Sequence, residues 1–282
     1  MIHSSTTQDA ASVASHYDEL DPIYRQIWGE HVHHGLWSSG HETPEEAVEA
    51  LSDAVGDRLA ITPGMKLVDI GCGYGATARR FAEKRGADVL GLSVSAAQVE
   101  HAASLARDHV RIVRRDWLHN ELDAASFDGA YSIESSEHMV DKPLFFREAQ
   151  RVLEPGGRLV VCAWLAETGA SAWKIDHLLE PICREGRLPS MGTREDYEAM
   201  AKDAGFVVAR YDDVSFQVAR TWTLCLQRFA KKLVTDPTYV RLITSSSTKN
   251  RIFALSLPRL IAAYRTGAMR YGIFVFERPK DR

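Results

Sequence analysis

Lys66-Leu67-Val68-Asp69-Ile70-Gly71-Cys72-Gly73-Tyr74-Gly75 decides the fold. An apolar-rich stretch of strand length runs into three glycines at alternate positions. Residues 76–85 then read as a helix closed by Gly86. Strand, tight turn and helix in that order open a β-α-β unit. In an open parallel sheet, ligands bind beyond the carboxyl ends of the strands, where the strand order reverses. Glycines let the backbone approach a ligand closely, and the start of the following helix offers free N–H groups to an anion. Asp69, just before the first glycine, suits a ligand with a cationic amino-acid end.

Outward from the loop the alternation continues. Residues 88–92, 110–114, 129–133 and 158–164 read as strands. Ser95-x-x-Gln98 reads as a capping box that opens a helix through Arg107, and Lys142 starts a helix that stops at Glu154-Pro155-Gly156-Gly157. Repeated β-α-β units imply a mostly parallel sheet covered on both faces. Helices are expected near 171–184 and 193–204, a strand at 206–214 and a last strand at 270–277. Upstream, Thr43-Pro44-Glu45-Glu46 is a helix start, residues 15–37 are rich in aromatics and histidine, and residues 1–14 read as a loose arm. The chain therefore divides into an N-terminal helical arm and lid at 1–64 and an α/β core at 65–282, with a helical insert at about 219–266.

Composition excludes several classes. With 45% hydrophobic and 26% charged residues, this is an ordinary soluble globular chain. A net charge of −4 without a long basic stripe argues against nucleic acid. Cys72, Cys162, Cys183 and Cys225 form no C-x-x-C pair, so no zinc site is expected and reduced thiols are the simpler reading. The polar N-terminus lacks the features of a signal or transit peptide, so the expected location is cytoplasmic. The longest apolar run, Leu159 to Ala166, is far short of the roughly 20 residues that span a bilayer, so no stable membrane insertion is expected. The partners expected are a small-molecule acceptor and no nucleic acid, with a homo-oligomer left open.

A dinucleotide enzyme is the rival reading of the loop. Its spacing is G-x-G-x-G rather than G-x-G-x-x-G, and Gly91-Leu92-Ser93 stands where a ribose acid is required. Val68 to Gly75 resembles the first motif of class I S-adenosylmethionine-dependent methyltransferases. Gly91-Leu92-Ser93-Val94-Ser95-x-x-Gln98 is similar to the second-strand signature of cyclopropane-synthase-like and tocopherol-type members. Trp28 to Trp37, Ile133 to Lys142 and Ala263 to Tyr271 resemble segments of gamma-tocopherol methyltransferase-like natural-product enzymes. Geranyl diphosphate C-methyltransferases share a similar tail and an equivalent of Glu134-Ser135-Ser136. The resemblance implies a Rossmann-like, doubly wound, mostly parallel seven-stranded sheet with an antiparallel last strand. It also implies S-adenosyl-L-methionine as cofactor and no catalytic metal.

On that reading Asp69, Gly71 and Gly73 hold the methionine part, Ser93 and Gln98 the ribose, and Asp116 and Trp117 the adenine. Glu134 closes the fourth strand beside the reacting centre and joins both the cofactor and the catalytic sets. An acceptor that loses a proton needs a base; His138, Glu137 and Glu134 cluster there, and a helical segment would put Glu134 and His138 on one face. Tyr17, Tyr24, His33, Trp164, Trp173, Met191 and Trp222 are the expected acceptor contacts. The acceptor is expected to be a lipophilic prenylated, terpenoid or aromatic natural product, methylated on carbon in preference to oxygen or nitrogen. Two alternatives stay open: an isoprenyl diphosphate acceptor served by Lys174, Arg184, Arg187 and Arg194, and a cofactor-binding regulator without activity.

Overall fold

The computed structural model describes residues 1–105, 107–244 and 256–280. Its centre is a seven-stranded sheet made by β2 (Lys66–Ile70), β3 (Asp88–Ser93), β4 (Val110–Arg114), β5 (Phe127–Ile133), β6 (Leu153–Ala166), β8 (Val207–Asp213) and β9 (Met269–Glu277). The order across the sheet is β4-β3-β2-β5-β6-β9-β8. Pairings among the first five are parallel, and β9 runs antiparallel to both β6 and β8. The order reverses between β2 and β5, so their carboxyl ends frame the crevice where ligands of such sheets bind.

Helices α3 (Ala76–Arg85), α4 (Ala96–Ser104), α5 (Lys142–Val152) and α8 (Arg194–Asp203) alternate with the strands. Each face of the sheet carries its own core: Val68, Ile70, Phe145, Phe146 and Phe276 on one, Leu67, Phe81, Tyr131, Val160 and Tyr271 on the other. Helix α2 (Pro44–Leu59) starts as its sequence requires: Thr43 accepts from the Glu46 amide at 3.2 Å and Glu46 answers at the Thr43 amide at 2.8 Å. Such a cap is worth about 1 kcal/mol.

Several boundaries differ from expectation. Residues 1–14 are not a loose arm: β1 (Ile2–His3) pairs with β7 (Ser190–Met191), and α1 (Ala10–Ile27) begins in a capping box made by Asp9 and Ser12. The helix after β3 ends at Ser104, short of Arg107, and only half of its expected box forms, because Gln98 turns its side chain to Ser93 instead of the cap amide. Strand β6 begins at Leu153 because the Gly156-Gly157 bend stays within the ladder. Across 171–185, α6 (Ala172–Lys174) and α7 (Glu180–Glu185) are separated by a π-helical turn. The insert comprises α9 (Ser215–Val218), α10 (Arg220–Thr235), α11 (Pro237–Thr244) and α12 (Leu257–Arg265); residues 245–255 of it lie outside the described residues. With α1, α7 and the 175–179 turn, α10, α11 and α12 build a third core around Leu179, Trp222, Phe229 and Leu260.

Candidate active site

The glycine loop does at the crevice what its composition allows. Gly71, Gly73 and Gly75 all have positive φ, at 79°, 54° and 73°. A Cβ on Gly71 would overlap the Ser135 side chain, which itself binds the Ile70 carbonyl. At Gly73 a Cβ would meet no protein atom within 4 Å, because the space before it is cavity.

That cavity, of about 800 Å³, is lined by Gly71, Gly73, Ser93, Gln98, Asp116, Trp117 and Glu134, all expected cofactor contacts. Asp69 borders a smaller chamber of about 330 Å³ that adjoins at Gly71 and Gly73 and also holds His31 and His33. Burial pushes the Asp69 carboxyl up to about 7, against the pull of the Tyr131 hydroxyl. A buried carboxyl without a cation is in the state that an ammonium group relieves. Ser93 donates to Gln98 Oε1 at 2.8 Å, which fixes the amide and aims its nitrogen donors elsewhere. Ser93 and Gln98 thus give this part of the cavity wall a neutral polar pair. Asp116 caps its own turn by accepting from the Leu118 amide at 3.0 Å. Trp117 is almost wholly buried and donates to the Phe145 carbonyl at 3.2 Å, so its indole is at once core and cavity wall.

Helix α1 covers this cavity through Ala10, Val13 and Tyr17. Sequence reasoning missed what fastens it. Asp18 accepts from Ser95 Oγ at 2.5 Å and from the Ala97 amide at 3.1 Å, so it caps α4 from another helix. Asp21 accepts from the Tyr74 hydroxyl of the glycine loop at 2.7 Å. Nothing in the local pattern of 18–21 distinguishes these acids from solvated ones.

A second cavity, of about 480 Å³, lies behind the first. Tyr17, Tyr24, Trp164 and Trp222 line it as expected, with Trp28 and Leu188 in addition. Trp222 packs edge-on to Trp28 and Trp164, with centroids 5.9 and 5.4 Å away. Two expected acceptor contacts are placed elsewhere. Trp173 is 57% exposed and stacks on His177, and Met191 is fully buried in the α7 core; neither lines any of these three cavities. His33 faces the small chamber by the glycine loop instead.

Tyr17, Val32, Glu134 and His138 line both large cavities and so form the neck between them. Glu134 and His138 do not share a helix face: Glu134 has φ 54°, and only Ser136–His138 makes a 3-10 turn. Glu134 accepts four hydrogen bonds, from the His34 amide at 2.7 Å, His34 Nδ1 at 2.9 Å, Trp164 Nε1 at 2.9 Å and the Tyr271 hydroxyl at 2.8 Å. Burial alone would raise its pKa, but the His34 imidazole and these bonds hold it down to about 2. It is a fixed, ionised carboxylate with its lone pairs engaged. Glu137 is the opposite case. Burial, with the Glu134 charge adding to it, pushes it up to about 7, although it accepts from the Trp164 amide at 2.6 Å.

His138 has its tautomer set by geometry. Nδ1 lies 3.2 Å from the Arg187 carbonyl, which only accepts, so the proton is on Nδ1. Nε2 is therefore bare and receives the Tyr17 hydroxyl at 3.0 Å. Burial lowers the imidazole pKa to about 4, against the Arg187 carbonyl. A neutral histidine with its lone pair at the neck is what a proton acceptor requires.

The family model described as mycolic acid cyclopropane synthetase matches residues 4–270. The chain belongs to that family. It is an S-adenosylmethionine-dependent methyltransferase, and S-adenosylmethionine is its cofactor. Tocopherol O-methyltransferase, chloroplastic, of Arabidopsis thaliana is 29% identical over 98% of this chain and 84% of that protein. The 27-O-demethylrifamycin SV methyltransferase of Amycolatopsis mediterranei is 34% identical over 76% of this chain and 80% of its own length. Among solved structures, mycolic acid cyclopropane synthase CmaA1 complexed with SAH and CTAB superposes with a TM-score of 0.84 at 23% identity, covering 96% of this chain and 99% of that one. This likeness bears on the fold. Among the described residues no group of His, Cys, Asp and Glu is arranged to hold a metal, and no helix is long and apolar enough to cross a membrane.

Proposed function

We propose that this enzyme methylates a small lipophilic acceptor held in the aromatic cavity, at carbon in preference to oxygen or nitrogen, with His138 receiving the proton that the acceptor loses. The observation that carries this reading is the shared neck. Four residues, Tyr17, Val32, Glu134 and His138, border both the cofactor cavity and the aromatic one.

The cofactor, when bound, supplies an electrophilic methyl group. The chain's own residues do the rest. Gly71, Gly73, Ser93 and Gln98 hold and orient it in a chamber that α1 closes to water. The indoles and phenols of the second cavity hold an apolar acceptor against the neck. Glu134, anionic and immobilised by four donors, together with the ring faces of Trp28, Trp164 and Trp222, stabilises positive charge that grows on the acceptor. That pairing favours attack by an alkene or an aromatic carbon. Glu134 is not the base, because its lone pairs are taken and its acidity is that of a strong carboxylic acid. Proton removal falls to His138 Nε2 through the Tyr17 hydroxyl that donates to it: the Tyr17 oxygen takes the acceptor's proton as it passes its own to Nε2.

A diphosphate acceptor is disfavoured. Among the described residues, the aromatic cavity is lined by two carboxylates and by no lysine or arginine. Three of the cations once available for such a substrate are engaged: Lys174 with Glu167, Arg184 with Glu180 and Glu185, and Arg194 with Glu198. A second reading, transfer to a phenol or hydroxyl oxygen, is favoured by the fixed His138 tautomer. Incubation of a panel of lipophilic acceptors with deuteromethyl-labelled cofactor, followed by mass spectrometric localisation of the label, separates the two. Label on carbon supports the first reading, and label on oxygen transfers the proposal to the second. Label only on a diphosphate-bearing acceptor sinks both.

A further inference from the structure

The insert has a charge that the rest of the molecule does not share. Residues 219–266 carry nine Lys and Arg against one acid, Asp236, in a chain whose overall formal charge is −4. The stretch is therefore at +8 and everything outside it at −12. Part of that excess is displayed on the exposed side of α10 and in α11, the helix that follows it after Asp236. Arg220, Gln227, Ala230, Lys231 and Val234 are exposed and follow one another at helical spacing, and Val240 and Arg241 are exposed in the next helix. The opposite side of α10, through Trp222, Cys225 and Phe229, is buried in the third core. Among the described residues of these two helices, only Arg228 meets a carboxylate, Glu45 at 3.5 Å. Val234 is 88% and Val240 42% exposed, so apolar side chains stand among the cations.

Basic residues interleaved with exposed aliphatic ones, on a helix anchored by its other face, fit an anionic lipid surface. We propose that the α10–α11 face docks the enzyme on membranes rich in anionic lipid, with Lys231 and Arg241 on headgroups and Val234 and Val240 at the acyl boundary. The charge complementarity selects this occupant, and the placement serves the site. The same helix contributes Trp222 to the aromatic cavity, so docking brings that cavity close to a phase in which lipophilic molecules concentrate. The association is peripheral, since no described helix spans a bilayer.

Sedimentation of the full chain with phosphatidylcholine vesicles, with and without about one third phosphatidylglycerol, tests it in the absence of any acceptor. Binding to the anionic vesicles only, weakening as salt rises, is the expected result. Lys231→Glu with Arg241→Glu then lowers the partition coefficient at least tenfold, each cation near such a surface being worth about a fivefold factor. Val234→Asn lowers it at constant net charge. Affinity for S-adenosylhomocysteine stays unchanged in both variants and reports that they are folded. Equal binding to neutral vesicles, or no binding to either kind, overturns the proposal. So does a charge-reversed variant that binds as the parent does, or capture by an acidic protein where the anionic vesicles fail.

Discussion

The two large cavities meet at one neck, yet they are built in different ways. The cofactor side is made mostly of short contiguous runs: Gly71 to Gly75, Ser93 to Gln98, Asp116 and Trp117, each at the end of a strand. The acceptor side draws single residues from α1, β6, the 186–188 turn and α10. The first kind of wall follows from local backbone geometry. The second exists only after distant segments have packed. Changes on the cofactor side should therefore act through the backbone, whereas changes at the neck and the acceptor side should act through individual side chains.

The strongest way to break that contrast is at His138. His138→Gln is expected to lower turnover by about a thousandfold, within the range for loss of a general base, while S-adenosylhomocysteine affinity measured by calorimetry stays within about twofold. Because burial holds the imidazole at about 4, the acid limb of the parent's pH–rate profile lies near that value rather than at an ordinary histidine's. The Gln variant loses that limb. An equal loss in affinity would mean that His138 belongs to the cofactor wall. Next in size is Gly71→Ala. Its Cβ collides with Ser135, and its φ of 79° is one that alanine resists. Cofactor affinity is expected to fall by about a hundredfold, and a fall below fivefold would show that the loop yields.

The smallest effect sharpens the chemistry of the neck. The Glu137 carboxyl is raised to about 7 in the folded chain from an ordinary 4.5, so between those values the folded state holds a proton that the unfolded state has lost. Stability from this group is full below 4.5 and is lost as pH rises through 7. Glu137→Gln, neutral throughout, should gain about 2 kcal/mol on the parent between pH 5 and pH 8, read from urea midpoints. A constant difference across that range would show that Glu137 ionises normally.

Legibility from sequence follows the same division. The strands, their alternation with helices and the glycine loop were readable because strand length, glycine spacing and caps are local signals, whereas the antiparallel last strand came from the family resemblance. Tyr17, Tyr24, Trp164 and Trp222 were found as large apolar or aromatic side chains in promising segments, but so were Trp173 and Met191, which stand elsewhere. An aromatic side chain packs a core as readily as it lines a cavity, and only tertiary contacts separate the two. The donors that saturate Glu134 could not be foreseen. Two come from His34, one hundred residues upstream, and the other two require β9 to lie beside β6 in the register that sets Tyr271 opposite Trp164. Asp18 and Asp21 escaped for a similar reason, since each caps or binds a segment more than fifty residues away.

The four bonds on Glu134 also order the events of synthesis. The glycine loop and its strand can form early, from neighbouring residues. Tyr271, which completes the carboxylate's set of donors, follows Glu134 by 137 residues. Until that tyrosine has left the ribosome and β9 has joined the sheet, the nascent chain holds a cofactor loop without a finished reaction centre. The protein therefore becomes an enzyme only once β9 has been made and paired.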